Sequence, residues 1–400
     1  MAESESLLAQ LSEQELSGKR AQEFHQLVMC LLLGELFGLK SLHQLLASYG
    51  ISSSRLHQIW QHVSTRDLVA IMNQWLWQLF SPEFVRLVER SGSTHSRENL
   101  TLVIDGSIFQ QWLPREKLGQ YFGKYFSGQI NGTTYGLSLI VCGISIGEVF
   151  YPLHFQLRRK DQTEVKLAER ILPQIHRKLL RLADADQWPP LYLSVDSGFR
   201  SQTLINLCHG FGIHYIGVPK KPHVVIYQGE KLKVRDLIPR FEEREAEALS
   251  QATPEAPPFT WRIRVQYPCV GREVTMLLFR LKGSKKVSVI FSPSLEIKAK
   301  TLRRHWFART KIEQLFRCLK HDLQIQRGTT TNRLTFLKQF AWALVKALHA
   351  QLWIQTLKRS HRRLRRIGYL GAQHLISFLQ IERQQLDQRI MNLGYTPFAT

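Results

Sequence analysis

Two short apolar runs, each ending in an aspartate, do most to limit how this chain can fold. Leu100-Thr-Leu-Val-Ile-Asp105 is followed by glycine, and Leu191-Tyr-Leu-Ser-Val-Asp196 is followed by Ser-Gly-Phe. Runs of aliphatic and β-branched residues bounded by turn formers read as strands, here each closing on an Asp at a turn. Residues 133–144 and 148–157 read as two more strands joined near Gly147. Residues 163–182 carry helical spacing through Val165, Leu167, Ile171, Ile175 and Leu179. A helix is expected at 202–211 and a strand at 213–218. Three strands, a helix, a strand, a helix and a strand predict an α/β layer with a mixed sheet.

The flanks have a different texture. Residues 1–98 read as a helical N-terminal region punctuated by Gly50 and Pro82. Within it, 42–49 and 52–63 around Gly50 suit either a DNA-reading helix pair or a plain bundle. Residues 219–284 predict a β-rich insertion, with strands at 224–227, 260–267 and 274–281. Between them Glu242, Glu243, Glu245 and Glu247, followed by Pro254, Pro257 and Pro258, suggest a flexible acidic loop. Residues 287–291 read as a last strand and 294–325 as a long helix. Further helices are expected at 336–357 and 370–385. The expected organisation is thus 1–98, 99–330 and a basic helical region at 331–400.

Charge narrows the partners. The chain has 54 Lys and Arg against 32 Asp and Glu, a net charge of +22. Such an excess repels itself unless it meets a polyanion, so nucleic acid is the first candidate. No membrane partner is expected, because the longest apolar run, at 27–39, is interrupted by Glu35 and is too short to span a bilayer. The N-terminus lacks the basic start of a secretory signal. Five widely spaced cysteines without a Cys-x-x-Cys argue against a disulfide framework or structural zinc, and fit a reducing cytosol.

A third acid lies in a basic helix. At 100° per residue, Trp306, Arg309, Glu313, Arg317 and Lys320 share a stripe about 80° wide. Ile312, Phe316, Leu319 and Leu323 fall beside it as the buried face. Residues 298–327 are rich in Lys and Arg but hold only two acids, Glu313 and Asp322. Glu313 therefore reads either as local charge balance or as a metal ligand. Two carboxylates about 4 Å apart repel by roughly 4 kcal/mol at an effective dielectric of 20. Three that converge favour protonation or a divalent cation, and oxygen-only ligands select Mg²⁺ or Mn²⁺. Other basic groups are candidates for DNA contact: Lys220 and Lys221 after a strand, and the run at 358–366 with Lys358, Arg359, Arg362 and Arg363.

Together, Asp105, Asp196 and Glu313 with its helix resemble the DDE transposases of bacterial insertion sequences. The subgroup is the one marked by Tyr-x2-Arg-x3-Glu-x6-Lys, matched here by Trp306-x2-Arg309-x3-Glu313-x6-Lys320 with Trp in place of Tyr. Asp196-Ser-Gly-Phe199, followed by a helix and a strand, also resembles the family's second-Asp block. The resemblance covers about residues 99–330. It implies an RNase H-like mixed-sheet catalytic core with a β-rich insertion, flanked by N- and C-terminal helical regions. It implies an Mg²⁺-dependent (or Mn²⁺-dependent) endonuclease of DNA transposition, with two ions held by Asp105, Asp196 and Glu313. Such an enzyme cuts double-stranded DNA at the terminal inverted repeats and transfers the 3′-hydroxyl ends to target DNA. The resemblance further implies a homodimer in the synaptic complex, a place in the bacterial cytoplasm at the nucleoid, and contact of Arg309 and Lys320 with DNA near the cleaved end. Trp306 can stack on a base but has no hydroxyl for the phosphate of a hairpin intermediate. A DNA-binding protein derived from a transposase, without catalysis, and a metal-dependent nuclease with the same triad are the alternatives.

Overall fold

The computed structural model describes residues 65–91, 100–110, 121–127, 132–251, 258–281, 283–322 and 325, with separate helical positions between 336 and 352. The 42–63 pair, the 358–366 basic run and the 370–385 segment lie outside the described residues. Leu76–Arg333 forms one compact unit.

Its centre is a mixed sheet. The strands are β1 (Leu100–Gln110), β2 (Phe122–Ser127), β3 (Gly132–Ile146), β4 (Val149–Leu157), β5 (Leu191–Ser194) and β6 (His214–Ile216). β1 pairs antiparallel with β3 along its whole length and parallel with β5 through Leu100–Val103. β5 pairs parallel with β6. β2 and β4 share the far edge of β3, β2 beside its first residues and β4 beside its last. The resulting order β4-β3-β1-β5-β6, three antiparallel strands followed by two parallel to the first, is the RNase H-like arrangement. Gly147, at φ 53°, makes the β3–β4 turn. Gly143 sits at a register shift in that pair, and a Cβ there would fall on the Tyr151 carbonyl oxygen and the Phe150 ring.

Helices cover the sheet for readable reasons. In α1 (Thr65–Ser91), Leu76, Phe80, Phe84, Leu87 and Val88 form one buried stripe at helical spacing. Phe80 meets Tyr151 edge-on, and Phe84 meets Trp188. Pro82 does not punctuate this segment as expected: it lies inside α1, where the apolar stripe on both sides carries the helix through. In α2 (Glu164–Leu179) the Thr163 hydroxyl caps the first turn by accepting from Lys166 N at 3.2 Å. Its six buried residues include Leu167, Ile171, Ile175 and Leu179 of the predicted stripe. Ser201 caps α3 (Gln202–Gly210) in the same way.

The insertion is a second, antiparallel sheet: β7 (Val224–Tyr227), β8 (Glu230–Lys233), β9 (Thr260–Tyr267), β10 (Arg272–Arg280) and β11 (Val287–Ser292), ordered β11-β10-β9-β7-β8. Two expectations are corrected. The strand at 287–291 belongs to this sheet, paired along β10, and is bridged to the chain just after β6 at Gly217–Phe291. The acidic part of the expected loop is instead α4 (Leu237–Ser250), which buries Leu237 and Phe241, while 252–257 lie outside the described residues. Glu242 and Glu245, one turn apart, both bind the Arg280 guanidinium at 3.1 Å, so the acids are paired along a helix face.

The long helix expected at 294–325 is also corrected. It is α5 (Ala299–Phe307), a turn, α6 (Thr310–Arg317) and a π-helical turn at Cys318–Asp322. Between α5 and α6 the backbone tightens to i→i+3 bonds, with Arg309 N donating to Trp306 O and Ile312 N to Arg309 O. Ile312, Leu315, Phe316 and Leu319 are buried, matching the predicted apolar face with Leu315 added; the Leu323 position lies outside the described residues. Outside this unit, Phe340 is buried among the described positions and stacks with Phe336.

Candidate active site

Asp105 stands in the middle of β1, not at a strand end followed by a turn. β3 continues to pair with β1 through Gln110, so the chain runs straight through Asp105-Gly106. The parallel partner β5 stops opposite Val103, which leaves Asp105 just past its carboxyl end. Asp196 lies two residues past the end of β5, the edge where sites in such sheets are built. It also forms the turn expected of it, because its Oδ1 accepts from Gly198 N at 2.7 Å and caps the short helical turn Ser197–Phe199. Glu313 arrives from α6.

Asp105 feels the charge of both other acids. The Asp105 carboxyl is pushed up to about 7, first by burial and next by the Asp196 charge, with Glu313 adding a smaller push. Arg309 and the Gly106 N–H, which donates to Asp105 Oδ1 at 2.8 Å, oppose the rise. Arg309 reaches Asp105 Oδ2 with Nη1 at 3.4 Å and Glu313 Oε1 with Nη2 at 2.6 Å. One guanidinium thus bridges two of the three predicted carboxylates. Among the described residues no group of three His, Cys, Asp or Glu is arranged to hold a metal. The donors are nevertheless all oxygens, of the type that suits a hard divalent cation.

The remaining predicted residues divide. Lys320 Nζ lies over the Phe109 ring at 5.3 Å; burial lowers its pKa, and Asp105 opposes the shift. Arg317 is exposed on α6. Trp306 is engaged elsewhere. Its ring meets Phe279 and Phe307 edge-on, against the cluster of Ile216, Leu277, Phe279, Ile290, Ile297 and Leu302. Lys220 and Lys221 are exposed in the turn after β6. Lys358, Arg359, Arg362 and Arg363 lie outside the described residues.

Sequence reading missed two features here. Glu164, the first residue of α2, lays its carboxyl where a side chain on Gly106 would be, 2.9 Å from that Cβ position. Ser138 donates to it at 3.1 Å, and Arg158 stands 3.6 Å away. In sequence it looks like an ordinary first-turn acid after a capping threonine, so it gave no signal. The second is a buried clamp of Thr101, Tyr192 and His305. Thr101 Oγ1 and His305 Nδ1 share a hydrogen bond of 2.7 Å, and the His305 ring stacks on Tyr192 at 3.6 Å. Thr101 and Tyr192 each sit four residues before a candidate Asp, and His305 four before Arg309. The clamp ties β1 and β5 to α5, the helix just before the one that carries Glu313.

The domain model described as "Transposase DDE domain" matches residues 124–348, more than half of the chain. The match takes in Asp196, Arg309, Glu313 and Lys320 and begins after Asp105. Among solved structures, the chain is similar to one described as a piggyBac transposase synaptic complex with hairpin DNA. The two are 12% identical with a TM-score of 0.38, over 70% of this chain and 51% of that one. The chain therefore spans about half the length of that transposase. No curated protein matches. With a matching domain model over most of its compact unit, a mixed sheet of the RNase H-like order, and acids at the expected sheet edge, the chain belongs to the DDE-domain transposases.

Proposed function

We propose that this protein cuts double-stranded DNA at the ends of an insertion sequence and transfers the freed 3′-hydroxyls to target DNA, using Asp105, Asp196 and Glu313. The observation that carries this reading is geometric: Asp105 lies just past the carboxyl end of β5, which leads into Asp196, and the Arg309 guanidinium joins Asp105 to Glu313, so like charges face one another within a strongly basic chain. Mutual repulsion of this kind is relieved by a bound divalent cation or a bridging base. Here Arg309 is the bridge.

The three carboxylates would hold the Mg²⁺ or Mn²⁺ ions, two in this reading. When bound, such ions activate a water or 3′-hydroxyl and stabilise the leaving oxygen of a phosphodiester. The chain's own residues do the rest. Gly106 N–H and Gly198 N–H fix one oxygen each of Asp105 and Asp196, so their remaining oxygens face the site in a set orientation. Arg309 exchanges its carboxylate partners for a DNA phosphate, with Arg317 and Lys320 along the same helix and Lys220 and Lys221 on the turn after β6. Lys358, Arg359, Arg362 and Arg363 extend the phosphate contacts. The synaptic complex is a homodimer holding two ends, in the bacterial cytoplasm.

The test incubates wild type and Asp105→Asn with the terminal repeats of the element that carries the gene, with Mg²⁺ and with EDTA, and maps the nicks. The expected result is Mg²⁺-dependent cutting at the terminus that the variant lacks while still binding DNA. The Arg309 bridge favours one second reading, a DNA-binding protein without catalysis. Equal binding and no cutting by both proteins would establish it and defeat the enzyme.

A further inference from the structure

A cavity of about 370 Å³ lies at the β2–β3 edge of the central sheet. Its lining combines Phe122, Tyr125 and Tyr135 with Lys124, Arg158 and Lys160. That volume lies in the range of small-ligand sites. Three aromatic rings beside three cationic side chains, with no acid in the wall, form an unusual lining for a structural void.

The rings are set as a platform. Tyr135 is the accessible one, at 39% exposure. Phe122 is buried behind it with nearly parallel planes, 14° apart at 6.1 Å between centroids. Tyr125 is also buried, and Arg158 lies over its face at 4.4 Å. Gly123 makes the last arrangement possible, since a Cβ there would press on the Tyr125 ring at 3.0 Å. The strand carries a glycine where the ring must fold back across it.

The cationic groups are only partly satisfied. Arg158 sits 3.6 Å from Glu164 through Nη1, while its Nε is buried without a hydrogen-bond partner. Lys124 and Lys160 are exposed at the cavity. An aromatic face for a base and guanidinium and ammonium groups for a phosphate together match one ligand chemistry, a nucleotide. Duplex DNA keeps its bases stacked inward, so a ring platform in a cavity serves an unstacked base instead.

The cavity is linked to the acids. Arg158 contacts Glu164, and the Glu164 carboxyl lies against Gly106, the neighbour of Asp105.

We infer that this cavity is a binding site for one unstacked nucleotide of a DNA single strand adjoining the cut site, with Tyr135 as the stacking platform and Arg158, Lys124 and Lys160 as its phosphate contacts. The inference rests on the DNA reading proposed above. It adds a site outside the helix that carries Arg309, Glu313 and Lys320.

The test uses the full-length protein and two probes: a single-stranded 12-mer of thymidines with one central 2-aminopurine, and the same label within a blunt duplex. Fluorescence of 2-aminopurine falls when it stacks on an aromatic ring. Wild type is expected to quench the single-stranded probe on binding. Tyr135→Ala is expected to lose the quench and weaken single-strand binding roughly 5- to 140-fold, the range for losing one base–aromatic stack. Tyr135→Phe is expected to restore both, and Lys160→Ala to weaken single-strand binding with the quench retained. Duplex affinity should be the same in all four proteins, which also reports that each is folded. Single-strand binding and quench unchanged in Tyr135→Ala and Lys160→Ala, alongside intact duplex binding, overturn the site and leave the transposase reading standing. Failure of wild type to bind either probe overturns both.

Discussion

Replacing His305 by Phe tests whether the clamp beneath the acids holds them through a neutral, buried imidazole. Phe keeps a ring against Tyr192 but cannot titrate and cannot bond Thr101. His305 is 2% exposed, and its pKa is lowered from 6.5 to about 3, first by burial and then by Arg304 and His214. The unfolded chain therefore binds a proton near pH 6.5 that the folded chain refuses until about pH 3. Folded stability from this group is complete above pH 6.5 and is lost as pH falls through that window. Linkage gives a loss of about 2 kcal/mol by pH 5, at about 1.4 kcal/mol per pH unit. At pH 7.5 the variant is less stable by about 1–3 kcal/mol, because the Thr101 hydroxyl loses its partner inside the core. Other buried imidazoles, such as His154 with its pKa lowered to about 4, titrate in both proteins. The informative quantity is thus the difference in unfolding free energy between wild type and His305→Phe, from urea melts at pH 7.5, 6.5 and 5. It should shrink by about 2 kcal/mol across the series. A difference that stays constant with pH would refute the idea that His305 is held neutral.

Three other outcomes follow from the same geometry. Gly106→Ala would press on the Glu164 carboxyl and displace it from Ser138, so cleavage should fall while affinity for duplex DNA holds; an unchanged cleavage rate would show that Glu164 does not support the site. Gly143→Ala drives a Cβ into the Tyr151 carbonyl and should cost about 1–3 kcal/mol or more, read as a lowered melting temperature. Binding to duplex DNA should weaken roughly a thousandfold or more between about 50 and 200 mM salt if six or more phosphates are contacted, whereas a flat titration would exclude a phosphate-dominated interface.

Asp105, Asp196 and Glu313 could be singled out as candidates because each belongs to a local pattern. The apolar run before each Asp gave a strand, although β1 runs on past Asp105 to Gln110, and a lone Glu in a basic helix stands out by sign. α2 was legible through the apolar spacing of Leu167, Ile171, Ile175 and Leu179, all of which it buries. α4 was misread as a loop because its acids suggested solvation, and the partner that pairs them, Arg280, lies on a distant strand. β2 was passed over since six residues with one glycine make a weak strand signal, and its pairing with β3 supplies the order.

Residues a few positions apart were enough to settle most of the alternation of strands and helices and the excess of positive charge, and to nominate the three acids. Only tertiary structure decided what those residues meet. It set Arg309 between two carboxylates and folded Glu164 against Gly106. It locked His305 onto Thr101 and turned Trp306 into the apolar cluster under the second sheet. Each of these contacts joins residues far apart in the chain, and its energy depends on burial and on the partner's charge, neither of which exists until the sheet has closed.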